Sequence, residues 1–289
     1  MFNQLLKKQP INLLGILIFI FLIVSFYINE LTTFLDKISL NGYSMIEAIN
    51  SYNGKLISSN DSFVHTSHHK RTSLIFWIYI GLSKFLNLSA LNISYFFLIF
   101  EFLLIPFSGW FLLKALKVKN PFLLSTFYTW IILFTNIEEN NFANYGQLFN
   151  GEWYNIPNSL FLLVLGNFAK NKFSNSIYLL LLSFLIHPSK GAMFIFAIVP
   201  FMMFTVAKRK HELKSLVTPI IISTIISSLF IYFLILGEFG NTMNSQLWIE
   251  ITRSHSYHFF RNSPDLVFAV SSLLPIVLLT LSLSILLKD

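Results

Sequence analysis

The chain has 289 residues, 55% of them hydrophobic and only 11% charged, with a net charge of +7 and a mean hydropathy of +0.66. Soluble domains average about 25% charged residues because their surfaces must be solvated, so this composition argues against a water-soluble fold. The absence of cysteine removes disulfide and thiol chemistry, and no block of Lys and Arg has the aromatic interleaving of a nucleic-acid surface. Runs of about twenty apolar residues match a hydrocarbon core roughly 30 Å thick. In lipid, backbone groups must find partners within the segment, which leaves helices as the spanning elements. The expectation is one all-α, polytopic integral membrane domain over residues 1–289, with about eight transmembrane helices and one short interfacial or re-entrant helix.

The first run, 11–28, follows Lys7 and Lys8, which predicts a cytoplasmic N-terminus under the positive-inside rule. No small-residue cleavage pattern follows it, so it reads as a retained anchor. An outside loop, 29–72, carries Glu30, Asp36, Glu47 and Asp61 and ends V-H-T-S-H-H-K-R-T-S. The stretch 74–86 is short and holds Lys84, which fits the interfacial or re-entrant helix. The run 93–113 is long enough to cross and ends on Lys114, Lys117 and Lys119, which places that end inside. Pro121 opens a span to about 137 that delivers Glu138 and Glu139 outside. Spans 156–169 and 177–186 form a tight hairpin around Lys170 and Lys172, returning His187 to the face that holds Glu152. Both are short, so their polar flanks must sit in the interface or in a cavity.

Span 192–206 comes back to a basic stub at 208–214, 216–236 goes out to a polar loop, and 266–287 returns to Lys288. Both termini are therefore expected in the cytoplasm, with outside loops at about 29–72, 138–155, 187–191 and 237–265. The charge asymmetry agrees: twelve Lys and Arg fall in the short inside segments and eight in the much longer outside ones. Abundant Phe, Ile, Asn and Lys suggest AT-rich coding and hence a bacterial inner membrane.

Chemistry has room only in the outside loops. Glu30 and Asp36 fit a general base at the mouth of a helix bundle, where desolvation raises a carboxylate pKa toward the range useful for proton abstraction. Plain interface residues fit those positions too. His65, His68, His69, Lys70 and Arg71 suit phosphate capture, two cations giving charge and the imidazoles and hydroxyls giving donors. A solvated basic loop explains them equally. No carboxylate or Cys stands at a zincin-like spacing, so no metal ligand is assigned, and of cofactors only a divalent metal is left open.

Glu101 lies eight residues into a span, five before Pro106; a carboxylate at such depth faces a cavity or a partner and serves a transporter as well as an enzyme. Glu138, Glu139, Glu152, Trp153 and Tyr154 look like a carbohydrate surface, with an interfacial aromatic belt as the plain alternative. Pro188 is expected to stop its helix, leaving His187 and Lys190 either to meet a phosphate leaving group or simply to cap the helix end. The loop T-R-S-H-S-Y-H-F-F-R repeats the combination with Arg253, His255, His258 and Arg261. Three separate outside loops with His beside a cation point to an anionic ligand.

An inside N-terminus, one span, a long acid-bearing outside loop ending in a partial helix, and then short hairpins together resemble the GT-C superfamily. Its members are polytopic glycosyltransferases that use polyprenyl-phosphate sugars. The run 158–191, with a polar entry, a short basic inner turn and Leu-Ile-His-Pro at its outer end, is similar to a motif in bacterial membrane proteins of that type, as is the His pair after an Arg at 253–258. The resemblance implies that an acid near the first span deprotonates an acceptor hydroxyl, which carries over to Glu30 or Asp36, with Asp61 as a weaker third choice. It also implies that the basic and His residues hold the lipid phosphate as it leaves. The first loop departs from the family in lacking a paired-acid signature (Asp-Asp, Asp-Glu or Asp-x-Asp). The chain is also short, which leaves a minimal member, a fragment and a relative without transfer activity as alternatives.

The expected function is sugar transfer from a polyprenyl-phosphate donor to a cell-envelope glycan or lipid acceptor at the non-cytoplasmic face. Its partners are the bilayer, the lipid-linked donor and the acceptor. A transporter or flippase of an anionic or lipid-linked substrate is the first competing class, and a non-catalytic envelope-assembly subunit the second.

Overall fold

The computed structural model describes residues 10–28, 73–134, 155–207 and 210–236, and every regular element among them is a helix. In chain order they are α1 (Pro10–Phe26), α2 (Leu74–Leu86), α3 (Ala90–Ala115), α4 (Pro121–Phe134), α5 (Asn155–Ala169), α6 (Phe173–Ile186), α7 (Pro188–Ala207) and α8 (Lys210–Phe230), the last continued by a π-helical segment, Ile231–Leu236. They fall into two compact units, one reaching to Ala192 and the other starting at Met193.

Among the described residues three helices are long and apolar enough to cross a membrane, Leu91–Ala115, Pro188–Thr205 and Ser215–Phe233, fewer than the eight expected. The difference lies in helix length. α1, α2, α5 and α6 have 13 to 17 residues, so at 1.5 Å each they measure roughly 20–25 Å and fall short of a 30 Å slab. The expected span 266–287 lies outside the described residues. The expected loop 187–191 is corrected too: only His187 is non-helical, and Pro188 opens α7 instead of leading into a loop. A proline at the first helical position gives up an N–H that has no partner there anyway.

In the first unit α3 is the spine. α5 lies beside it in parallel, with Glu101 meeting Asn155 at one end and Leu112 meeting Gly166 at the other, both pairs 54 residues apart. α4 returns along α3, where the Ser125 hydroxyl donates to the Pro106 carbonyl at 2.5 Å. α6 returns along α5, where the Ser176 hydroxyl donates to the Val164 carbonyl at 3.0 Å. α1 runs with α4, from Gly15 against Phe122 to Phe21 beside Trp130, and ends with Phe26 stacked on Phe102 at 4.2 Å. α2 folds back on the first part of α3, with Tyr79 stacked on Phe97 at 5.1 Å and its hydroxyl 2.8 Å from that of Ser94.

The core gathers where α5 begins: Phe26, Phe76, Tyr79, Phe102, Leu160 and Ile186 belong to one cluster. α5 is buried almost all round, as a helix apolar on every face must be. Polar side chains such as Ser108, Thr129 and Ser176 point inward, while Leu14, Leu17 and Phe21 of α1 and Ile221, Ile225 and Leu229 of α8 are about half exposed. Apolar surface left outside costs about 25 cal/mol per Å² in water and nothing against lipid tails, which are as apolar as leucine.

Candidate functional site

Two turns and a register bring the site together. The α5–α6 turn places Asn171 at φ 58°, so α6 doubles back and ends beside the start of α5. The α6–α7 junction then brings the first turn of α7 onto the same spot. It is tight: a Cβ on Gly191 would overlap the Phe184 backbone, so only glycine lets α7 fold this closely onto α6. The Ser73 hydroxyl adds α2 to the junction by donating to the Ile186 carbonyl at 2.6 Å, while it accepts from the Ile75 N–H as the N-cap of α2.

Glu101 is buried, and its Oε1 accepts the Asn155 backbone N–H at 3.2 Å. A carboxylate on the first N–H of a helix satisfies an otherwise orphaned donor and complements the positive end of the helix dipole. Glu101 therefore has a structural task, anchoring the start of α5 to α3. It lies thirteen residues before Lys114 on the same helix, about 20 Å along the axis.

One turn further along α5, the Asn158 Oδ1 accepts from the Lys190 ammonium at 3.4 Å. An ammonium only donates, so the oxygen must face it, and Nδ2 is left as a donor. Asn158 is only 6% exposed and its Nδ2 has no hydrogen-bond partner among the described residues. Buried donors are almost always paired, so an orphan at a polar cluster asks for an acceptor. On the other side of Lys190, the His187 Nδ1 accepts the Lys190 backbone N–H at 3.4 Å and lies 3.1 Å from the Ser189 hydroxyl. A backbone N–H cannot accept, so a neutral His187 carries its proton on Nε2. The cluster thus presents an ammonium, an amide N–H₂ and an imidazole N–H. Among the described residues the carboxylate at this end is Glu101, and it is engaged by the helix it anchors.

Of the site residues expected from the sequence, the structure brings together Glu101, Lys190 and His187, through Asn155 and Asn158. Glu30, Asp36, Asp61, His65, His68, His69, Lys70, Arg71, Glu138, Glu139, Glu152, Trp153, Arg253, His255 and His258 lie outside the described residues. Among the described residues no group of three or more His, Cys, Asp or Glu converges as a metal-ligand set. Asn155, Asn158 and Ser73 were not singled out from the sequence. The signal for the two amides was there, in asparagines three residues apart opening an otherwise apolar helix, a spacing that puts both on one face.

No protein-family model, no curated protein and no solved structure matches the chain.

Proposed function

We propose that the chain is a polytopic membrane glycosyltransferase that moves a sugar from a polyprenyl-phosphate donor to a cell-envelope glycan or lipid. The observation that carries this reading is the buried Asn158 Nδ2, which has no hydrogen-bond partner among the described residues and stands beside the half-buried Lys190 ammonium. In the displacement, the acceptor hydroxyl attacks the anomeric carbon and gives its proton to a carboxylate, Glu30 or Asp36. The bond from that carbon to the phosphate oxygen breaks, and the lipid phosphate departs with the negative charge. Lys190, the Asn158 amide and the His187 Nε2–H supply donors for that charge. Fixed donors aimed at developing charge are worth about 3–4 kcal/mol each to a reaction of this kind.

The test is mass spectrometry of lipid-linked and surface glycans in cells carrying the wild-type gene, a deletion, Glu30→Gln/Asp36→Asn, or Lys190→Met. Loss of one sugar from the glycan in the deletion, matched by the double variant and largely by Lys190→Met, is the expected result. An intact glycan profile in all strains ends the transferase reading.

A second reading, transport of an anionic or lipid-linked substrate, is favoured by Glu101. Buried carboxylates inside membrane bundles are costly and mark ion and substrate pathways. In the same experiment, intact glycan composition with lipid-linked precursor accumulating in the deletion selects transport.

A further inference from the structure

At the other end of the first unit the fold assembles five lysines that the proposed function does not use. The α3–α4 turn contributes Lys114, Lys117 and Lys119, and the α5–α6 turn contributes Lys170 and Lys172. The two turns are neighbours because α3 and α5 run parallel: Gly166 abuts Phe111, and the Lys170 ammonium sits 3.9 Å over the same Phe111 ring. Lys114 sits over Trp110 at 4.8 Å. Residues with positive φ, Lys117, Asn120 and Asn171, make both turns tight.

The plain explanation for lysines at helix ends is that they cap the last carbonyls. Here the backbone already does so. Lys117 N–H donates to the Lys114 carbonyl, Val118 to Leu113, Asn171 to Phe168 and Lys172 to Asn167. None of the five ammoniums has an ion pair or a side-chain hydrogen bond among the described residues, and four of the five side chains are exposed. No Asp or Glu occurs anywhere in residues 102–137 or 153–211, so no acid of either hairpin can neutralise them. α4 and α6 both start here with no acid in their first turns, which adds two positive helix ends to the same surface.

We propose that this end is a binding site for the anionic headgroup of a membrane phospholipid. Lys170 and Lys114 are pre-positioned on their aromatic rings, and Lys117, Lys119 and Lys172 close around the phosphate. The exposed apolar flank at Phe107 and Leu124 receives the acyl chains. A lipid suits the surface better than a soluble phosphate does, because charge and apolar surface adjoin. Each basic side chain near an anionic headgroup contributes about fivefold to binding.

The test is native mass spectrometry of the full chain in detergent, offered equal phosphatidylglycerol and phosphatidylcholine with the same acyl chains. Wild type is expected to retain the anionic lipid about tenfold or more over the zwitterionic one. Replacing all five lysines by Gln should bring the ratio to within about twofold of unity, while replacement by Arg keeps it, because only charge is needed. The pairs Lys117→Gln/Lys119→Gln and Lys170→Gln/Lys172→Gln should each lose part of the preference, and they answer the question if the fivefold Gln variant does not fold. A ratio near unity in wild type, or one unchanged in the Gln variants, overturns the proposal. So does displacement of the lipid by inorganic phosphate at the same concentration, which would make this a site for free phosphate.

Discussion

The two ends of the first unit use the same residue types in opposite ways. At the α3–α4 and α5–α6 turns, four of the five lysines are exposed, two of the five (Lys114 and Lys170) lie over aromatic rings, and helix carbonyls are already satisfied behind them. Where α5 begins, a lysine and a carboxylate are drawn in, and each is held by a specific atom of α5. Charge at the first end is available to whatever lies at the surface. Charge at the second is committed to structure or poised over one orphaned amide. The lesson is that a positive residue in a membrane protein means little until its burial and partners are known: Lys172 is exposed, while Lys190 is half-buried against Asn158.

Substitutions at four positions bear on that contrast. The largest effect is expected for Glu101→Leu, which strands the Asn155 N–H and should cost about 3 kcal/mol, read as the thermal midpoint in detergent. Glu101→Gln keeps an acceptor oxygen and should cost about 1 kcal/mol; equal losses in the two variants would show that the contact to α5 is not what Glu101 provides. Gly191→Val should cost about 2 kcal/mol, because the added carbons meet the Phe184 backbone and the α6–α7 junction must open. An unchanged midpoint there would mean the junction yields easily.

Asn158→Leu separates stability from function. Removing a buried donor that lacks a partner should leave stability equal or up to about 1 kcal/mol higher, while the glycan product falls about tenfold. A loss of stability would show that the amide is satisfied in the folded protein. The smallest functional effect is expected for Ser176→Ala, which should cost about 1 kcal/mol for one buried hydroxyl contact, with no change in either glycan product or lipid retention. A change in product there would extend the functional end halfway down α5.

Much of this architecture was legible in the sequence. The α5–α6 hairpin followed from two apolar runs around Lys170 and Lys172, and the return of His187 toward the side where α5 begins followed from two successive crossings. Glu101 stood out because an acid in an apolar run has to find a partner. Pro188 read correctly as the stop of α6 but not as the first residue of α7, because proline both ends helices and opens them. What decides is the backbone of the residue before it, and His187, at φ −144° and ψ 92°, is extended and separates two helices by itself. Among the described residues fewer helices reach spanning length than the sequence led one to expect, for a related reason. Apolar runs record burial in either protein or lipid, and only helix length tells the two apart. Asn155 and Asn158 went unnoticed because an amide is neutral: their spacing marked a shared face, but the partners they meet, Glu101 for the Asn155 N–H and Lys190 for the Asn158 side chain, are set by packing between distant segments.

The difference in length between α3 and its neighbours has a mechanical side. α3 has 26 residues against 15 in α5 and 14 in α6, or about 39 Å beside about 22 Å. In a bilayer, α3 matches or exceeds the acyl thickness, while the hairpin falls short of it by roughly 8 Å. Lipids flanking the hairpin must compress to cover it, at a fraction of a kcal/mol for each ångström. On the proposed membrane reading, the leaflet over the start of α5 would be dimpled, and a headgroup would descend less far to reach Asn158 than in an undisturbed membrane. The same mismatch between neighbouring helices would give the protein a preference for thin bilayers.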